Sequence, residues 1–231
     1  LPRSCSAKAL GDLPLCSRRS SVWQRLQRGA LETMLDRLLA HPDVEEVSEL
    51  RSTFGFMAFH GGGLEEQTDV IARAAAELSG SSYYGIHQPA DLKWHIPSHQ
   101  IDPAHSPLLD TFLTHVHTVI TVHGYGRRGL FTTLLLGGRN RPLAQHVAQH
   151  LRNELPAYEI EDDLAKIPSD LAGQHADNPV NRVRNSGVQI ELPPRVRGSS
   201  PLWWDWEGPH LTPHTTALVR GLSAAAQSWP I

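Results

Sequence analysis

Two histidines and two glutamates in this sequence are of the types that bind a metal ion and transfer protons. His60 and Glu65 lie on either side of three glycines, whereas His123 and Glu191 stand further along the chain. Two imidazoles and one carboxylate form a known catalytic zinc set that leaves a coordination position for water, and a further carboxylate can act as a base. If the fold brings these four side chains together, their chemistry is metal-assisted hydrolysis.

Three of these side chains each follow a short apolar run that predicts a buried strand. The runs are Thr53 to Phe59 before His60, Val116 to Val122 before His123, and Gly187 to Ile190 before Glu191. The proline pair that follows Leu192 cannot continue a central strand, so Glu191 is expected at or near a strand end. Open α/β sheets bind ligands at the carboxyl ends of their strands, and we therefore expect one common site at that edge.

The rest of the chain predicts alternating strands and helices. Further strands are expected over Ser81 to Ile86 and Leu130 to Leu136, and helices over Glu66 to Leu78, Ser106 to His115, Pro142 to Leu155 and Pro213 to Gln227. Ser106 is the expected cap of its helix, with Pro107 at the first helical position. This alternation predicts a three-layer α/β fold in which helices flank a mixed, mainly parallel sheet. We expect residues 22–231 to form one catalytic domain of this kind.

The first 21 residues differ in composition from the rest of the chain. They are rich in Ser, Pro and Arg and contain both cysteines, Cys5 and Cys16. This composition predicts a flexible N-terminal segment that does no chemistry. The cysteines could pair in an exported protein or stay reduced in the cytosol, with the cytoplasm slightly favoured. Val22 to Ala40 has a helical period and is expected to cover one face of the sheet, a partner-binding helix being the alternative.

Length and composition limit the class of protein. A chain of 231 residues with 40% hydrophobic content is long enough for one substantial globular domain and short for two. The formal net charge of −3 argues against a nucleic-acid partner, because nucleic-acid-binding domains usually carry a basic excess. No apolar run approaches the roughly 20 residues of a membrane helix. The sequence therefore predicts a soluble protein without a membrane partner.

Five motifs carry a resemblance to a known family. They are HGGGLEEQT at 60–68, HIPSHQID at 95–102, HGYGRRG at 123–129, LGGRN at 136–140 and NPVNRVRNSGVQIEL at 178–192. In combination they resemble the zinc-dependent poly-γ-glutamate hydrolase family of bacteria and phages, whose members share a zinc-carboxypeptidase-like core. The resemblance covers roughly residues 50–197.

The resemblance implies a ligand set and a mechanism. The family's zinc ligands are the His and Glu of the first motif and the His of HGY, which fall on His60, Glu65 and His123. Its late-strand glutamate corresponds to Glu191 and is similar to the carboxypeptidase general base. We therefore expect a zinc-dependent amide hydrolase in which Glu191 takes a proton from water and passes it to the leaving amine. Such a role is typically worth about 10² to 10⁴ in rate.

Substrate contacts are expected from a histidine, an asparagine and several arginines. His95 lies in a segment that is near the active site in the family, and we expect it to contact substrate rather than metal. Asn181 and Arg182 are similar to the Asn-Arg pair with which carboxypeptidase-like enzymes bind a substrate carboxylate, a structural salt bridge being the alternative. The candidates for contact with the oxyanion or a substrate carboxylate are Arg127 and Arg182, followed by Arg128 and Arg184.

Two further patterns have simpler explanations than chemistry. His146 and His150 lie four residues apart on a predicted helix, and because no carboxylate stands beside them, a solvated helix face is expected. Trp203, Trp204 and Trp206 are expected to pack over the core, with a substrate groove as the alternative.

Three functions are compatible with the sequence. The first is a zinc hydrolase that cuts γ-glutamyl bonds in an acidic polymer. The second is a related zinc amidohydrolase or carboxypeptidase acting on another acidic amide, such as an N-acyl amino acid or a cell-wall peptide. The third is a non-enzymatic protein with a structural metal. Because His and carboxylate ligands also suit iron and manganese, zinc rests on the ligand types together with the family.

Overall fold

Four parallel strands form the centre of the sheet. The computed structural model describes residues 32–208 and 211–230, and the strands within them are β1 Glu45–Glu49, β2 Phe54–Gly62, β3 Ser82–Gln88, β4 Thr118–Gly124, β5 Thr133–Leu136, β6 Glu159–Glu161 and β7 Gly187–Leu192. They follow the order β1-β3-β2-β4-β7-β5-β6. Strands β3, β2, β4 and β7 run parallel, whereas β1 and β5 pair antiparallel with β3 and β7. The prediction of a mixed, mainly parallel sheet is confirmed.

Helices cover both faces of this sheet. Their bounds are α1 Met34–Leu39, α2 Thr68–Ser79, α3 Pro107–His115, α4 Arg141–Glu154, α5 Pro194–Arg197 and α6 Pro213–Ser228. One hydrophobic cluster joins α2, α4 and α6 to strand residues such as Phe56 and Ile120. A second cluster joins α1 and α3 to the opposite face, which includes Met57 and Phe59. Alternate residues of one strand thus enter two cores, as a three-layer fold requires.

The central strands extend further than their apolar runs. The apolar runs end at Phe59, Val122 and Ile190, and the strands continue to Gly62, Gly124 and Leu192, so that β4 and β7 end at or next to the predicted residues Gly124 and Glu191. Between β4 and β7 the ladder continues after the apolar residues, pairing His123 with Glu191. The hydrogen bonds between neighbouring strands join backbone groups, so a strand can continue through polar residues as well as apolar ones. The site residues of β4 and β7 therefore lie on rigid strands rather than on the loops that follow them.

Two strands were not predicted from the sequence. β1 has the sequence EEVSE and β6 has the sequence EIE, and both lie at the edges of the sheet. Edge strands commonly carry charges that discourage pairing with other molecules. Such charges also remove the apolar run by which a strand is recognised.

Some predictions concern the ends of the chain. The segment 1–21 that was predicted to be flexible, with Cys5 and Cys16, lies outside the described residues, as does most of the helix predicted over Val22 to Ala40. Its end is seen as α1. No helix within the described ranges is long and apolar enough to span a membrane.

The histidine pair of α4 contacts another helix. Nε2 of His146 and Nε2 of His150 each lie 3.1 Å from Oγ of Ser228 at the end of α6. The expectation of a solvated face is therefore corrected, since these imidazoles link α4 to α6. In the tryptophan-rich segment, Trp203 donates to the carbonyl of Arg195 at 2.8 Å, whereas Trp204 is 88% exposed.

Ser106 caps α3, and its removal should weaken the fold. Its hydroxyl accepts the N–H of Leu109 at 2.9 Å and donates to Glu46 of β1. Ser106→Ala is expected to lower the free energy of unfolding by about 1 kcal/mol, because an N-cap hydrogen bond is lost. Urea unfolding followed by circular dichroism measures this loss. Thr111→Ala, an exposed change in the same helix, should stay within about 0.5 kcal/mol of wild type. Equal losses in the two variants would contradict the capping role.

Candidate metal centre

The glycine-rich loop after β2 places His60 and Glu65 beside each other. Gly62 has φ +69°, and a Cβ there would lie 2.0 Å from the carbonyl oxygen of Gln88, so only glycine fits this turn. The N–H of Glu65 donates to the carbonyl of His60 at 2.8 Å. The hydroxyl of Thr68 donates to the carbonyl of Glu65, also at 2.8 Å. These bonds return the chain to the strand end and hold the carboxylate over it.

The carboxylate of Glu65 lies between two imidazoles. Its Oε1 is 2.8 Å from Nδ1 of His60, and its Oε2 is 3.4 Å from Nδ1 of His123. The N–H of Gly124 donates to Oε2 at 2.7 Å, which fixes the carboxylate. Both imidazoles are 3% exposed. One carboxylate and two buried imidazoles thus direct their ligand atoms toward one another.

The free atoms of these side chains fit a metal ion. Nε2 of His60 lies 2.9 Å from the carbonyl oxygen of Ile96, which leaves Nδ1 as the nitrogen that faces Glu65. Such a backbone bond to the far nitrogen is usual for metal-binding histidines. In His123 the nitrogen away from Glu65, Nε2, is buried and has no such partner in the described part of the chain. Ligand atoms of His60, Glu65 and His95 lie within 4.8 Å of one another, and His123 is not part of that compact group. The residues therefore fit a metal ion.

Electrostatics couple the imidazoles to the carboxylate. Burial alone would raise the pKa of Glu65, but His60 and His123 reverse this effect and hold that pKa well below its usual range. Burial alone would lower the pKa of His60, and the charge of Glu65 raises it instead. The cluster is therefore strongly polar inside a buried environment, and a cation there would meet an ionised carboxylate.

Glu191 lies next to His123 on the neighbouring strand. It is 4% exposed, and its Oε1 accepts a hydrogen bond from Nε2 of Gln189 at 2.8 Å. Burial raises the pKa of Glu191 to about 7, partly offset by His123 and reinforced by the charge of Glu65. A carboxyl group with this pKa can both accept and release a proton near neutral pH.

The burial of Glu191 also predicts a pH-dependent change in stability. Its pKa is about 7 in the folded chain, against 4.5 for an exposed glutamate. Because the folded value is higher, the stability that the protonated group contributes is complete below about pH 4.5 and is lost as the pH rises to 7. Metal-free Glu191→Gln should therefore exceed metal-free wild type by about 3 kcal/mol at pH 8 and match it at about pH 4.5. Urea unfolding of chelator-treated proteins measures both differences. A difference that does not change with pH would contradict this account.

A cleft of about 460 Å³ opens at these residues. His95 and His99, from the segment after β3, line it together with Asp170 and His175, from the segment before β7. The rings of His99 and His175 contact each other with centroids 4.7 Å apart. The ring of His95 lies 4.8 Å from that of His60. The metal-capable groups therefore lie at the buried end of a cleft lined by polar side chains.

The two main arginine candidates are both paired with aspartates. Arg127 forms an ion pair with Asp170, and Arg182 forms one with Asp102 at 3.1 Å. Asp170 lines the cleft, whereas Arg127 is not itself among the described lining residues. Neither Arg182 nor Asp102 is among the described residues that line the cleft.

The other predicted contacts are not among the described residues that line the cleft. Asn181 binds backbone groups, accepting the N–H of Arg139 at 3.0 Å and donating to the carbonyl of Gly173 at 2.8 Å. It thereby holds the loop before β7. Arg128 and Arg184 are exposed and do not line the cleft.

Three buried polar residues beside the site were not predicted. Gln189 binds Glu191, Asn178 binds Gln189, and Arg197 donates to the carbonyl of Leu192 at 3.1 Å. The sequence offered one signal for the first of them. A glutamine within an apolar strand, two residues before Glu191, must share its face of the sheet.

Comparison with known proteins identifies the family. A family model described as poly-gamma-glutamate hydrolase matches residues 33–200. A search of curated proteins gave no match.

Solved structures of similar fold support the architecture. A bacteriophage poly-gamma-glutamate hydrolase is 19% identical with a TM-score of 0.65, over 88% of this chain and 93% of that one. YNDL in a zinc-free apo form is 20% identical with a TM-score of 0.61, over 86% and 94%. A putative carboxypeptidase from Burkholderia mallei ATCC 23344 is 9% identical with a TM-score of 0.50, over 84% and 66%. The predicted carboxypeptidase-like fold is thus confirmed. Because the family model covers well over half of its length, the chain belongs to the poly-γ-glutamate hydrolase family and is a hydrolase.

Proposed function

We propose that this hydrolase cleaves γ-glutamyl amide bonds of poly-γ-glutamate with zinc held by His60, Glu65 and His123. The observation that carries the proposal is the shared carboxylate of Glu65, which faces both imidazoles beside the buried Glu191. The family supplies the substrate class, an acidic polymer. Zinc is further supported by the description of YNDL, a protein of similar fold, in a zinc-free form.

Glu191 is the proposed general base and acid. When bound, zinc supplies a Lewis acid that polarises the scissile carbonyl and lowers the pKa of water from 15.7 to about 7. Glu191 accepts a proton from the water whose oxygen bonds to the carbonyl carbon. It then gives that proton to the amide nitrogen as the carbon–nitrogen bond breaks, which releases a free amine and a carboxylate. Burial raises its pKa to about 7 in the metal-free chain, and a bound cation would lower that pKa and favour the ionised base.

His95 is proposed to contact the substrate rather than the metal. It is exposed in the cleft and lies next to His60, whereas His123 is buried on a strand. Burial and the neighbouring charge of His60 lower the pKa of His95, which favours a neutral imidazole that can donate or accept a hydrogen bond.

Arg127 is proposed to bind a substrate carboxylate, with Arg182 as a second candidate. Arg127→Ala is expected to raise KM for the polymer about tenfold with little change in kcat, because a charge-assisted hydrogen bond is lost and Asp170 is left unpaired. Steady-state kinetics at low and high salt measure this effect, which should shrink as salt screens the charge. Arg220→Ala is the matched control, since it removes an exposed arginine whose ion-pair partner, Glu154, lies outside the described cleft lining. A fall in kcat at constant KM would contradict a role in binding the carboxylate.

The experiment that tests the function compares substrates. Zinc-loaded enzyme is incubated separately with poly-γ-glutamate, N-acyl glutamate and a cell-wall peptide, and new amino groups are counted. Size-exclusion chromatography of the polymer follows its shortening. We expect amine release and shortening with poly-γ-glutamate. If the loaded enzyme releases no amine from the polymer, the proposed substrate is wrong.

A further inference from the structure

We infer that Gln189 and Asn178 are positioning residues that aim the carboxylate of Glu191 through a chain of two hydrogen bonds. This inference rests on the proposed function, in which Glu191 is the general base. Nδ2 of Asn178 donates to Oε1 of Gln189 at 2.8 Å, and Nε2 of Gln189 donates to Oε1 of Glu191 at 2.8 Å. All three side chains are at most 5% exposed. The three residues line the cleft, but their side chains are almost fully buried within its wall.

The direction of these bonds is fixed from the backbone outward. An amide side chain has a donor nitrogen on one side and an acceptor oxygen on the other. A hydrogen bond to one of them therefore fixes which atom faces the next residue. Oδ1 of Asn178 accepts the N–H of Val180 at 3.2 Å, in the short turn Pro179–Asn181. Its amide nitrogen must therefore face Gln189. Gln189 must in turn present its acceptor to Asn178 and its donor to Glu191.

Packing prevents Gln189 from leaving this arrangement. Gly173 has φ +62°, and a Cβ there would lie 2.7 Å from Oε1 of Gln189 and 2.8 Å from its Cδ. The backbone of this loop thus lies directly against the amide. The strand holds Gln189 from the other side, where it pairs with Thr121 of β4. The amide is therefore enclosed by backbone on the loop side and by the sheet.

The consequence for catalysis is that the two oxygens of the Glu191 carboxylate have different roles. Because Gln189 occupies Oε1, the proton of the attacking water is accepted at Oε2. Without the hydrogen bond from Gln189, the carboxylate of Glu191 can rotate about its terminal torsion angle, because that torsion has a broad energy minimum. A small misplacement of a reacting group lowers the rate strongly, by as much as about 10²-fold. Binding of substrate does not depend on that torsion, so the loss should appear in kcat and not in KM.

Asn178→Asp and Gln189→Met test the inference as single variants and together. The carboxylate introduced by Asn178→Asp would keep an acceptor for Val180 but lose the donor, so Gln189 should turn over and present its oxygen to Glu191. We expect kcat on poly-γ-glutamate to fall at least about tenfold in each single variant, with KM and bound zinc close to wild type. In the Gln189→Met background no amide is left to turn over, so adding Asn178→Asp should cause no further loss. Thr121→Val is the control and should keep wild-type kcat, because it removes a buried hydroxyl that has no partner among the described residues, at the position beside Gln189.

Two results would overturn the inference. One is wild-type kcat in Asn178→Asp. The other is a double variant whose loss is the product of the single losses, because residues acting through one another do not add. Glu191→Gln, assayed alongside, separates this failure from that of the proposed function. If Glu191→Gln keeps wild-type kcat, the proposed function and this inference both fail. If Glu191→Gln loses activity but Asn178→Asp and Gln189→Met keep wild-type kcat, Glu191 is still the general base and only this inference fails.

Discussion

Glu191→Gln is expected to lower kcat by about 10² to 10⁴-fold while the metal stays bound. Glutamine keeps the size of the side chain and can still accept the hydrogen bond from Gln189, which lies 2.8 Å away. It cannot accept a proton from water at neutral pH. Since Glu191 is not one of the proposed ligands, metal content should equal that of wild type. Initial rates of amine release and elemental analysis on the same samples measure both quantities.

Glu77→Gln is a suitable control for this variant. Glu77 lies on the surface of α2, where it pairs with Arg73, so the same chemical change there should leave kcat near wild type. A Glu191→Gln enzyme that retains wild-type kcat would refute the role of general base. A Glu191→Gln protein that loses its metal would show that this carboxylate supports the metal site instead.

The clustering of His60, His123 and Glu191 could be predicted from the sequence because strand ends are marked by local features. An apolar run followed by glycine or proline marks where a strand ends, and parallel strands end at the same edge. His60, His123 and Glu191 were therefore expected together, and the structure pairs His123 with Glu191 in adjacent strands. The extension of β2 to Gly62 could not be predicted, because it depends on pairing between strands far apart in sequence.

The environment of the arginines could not be predicted for a similar reason. Arg127 and Asp170 are 43 residues apart, and Arg182 and Asp102 are 80 apart. No local pattern in the sequence identifies such partners. Charged pairs of this kind depend on how loops from different strand ends approach one another. The sequence could therefore supply a set of candidate arginines but not their distance from the cleft.

The bonds from Asn178 to Glu191 illustrate a further limit. A buried glutamine is unusual enough to suggest a partner, because an unpaired buried amide costs free energy. Gln189 stands two residues before Glu191, which places both on one face of β7. The partner at its other end comes from a loop whose course depends on Gly173. Periodicity locates the strand residues of a network, whereas its loop residues emerge only with the complete fold.

His123→Ala is expected to reduce metal content from about one ion per chain to nearly none. The variant loses one of three proposed ligands, and Glu65 keeps only His60 as a neighbouring imidazole from that set. Elemental analysis after dialysis against a zinc buffer of fixed free concentration measures the loss. Activity on poly-γ-glutamate should disappear with the metal.

His95→Ala is the comparison that distinguishes the two possible ligand sets. Ligand atoms of His95, His60 and Glu65 lie within 4.8 Å of one another, so distance alone does not exclude His95 as a ligand. Position favours His123, which is 3% exposed on a rigid strand, whereas His95 is exposed on a loop. We therefore expect His95→Ala to keep its metal and to show a higher KM. If His95→Ala loses the metal and His123→Ala keeps it, the ligands are His60, Glu65 and His95, and His123 serves only as a neighbour of Glu191.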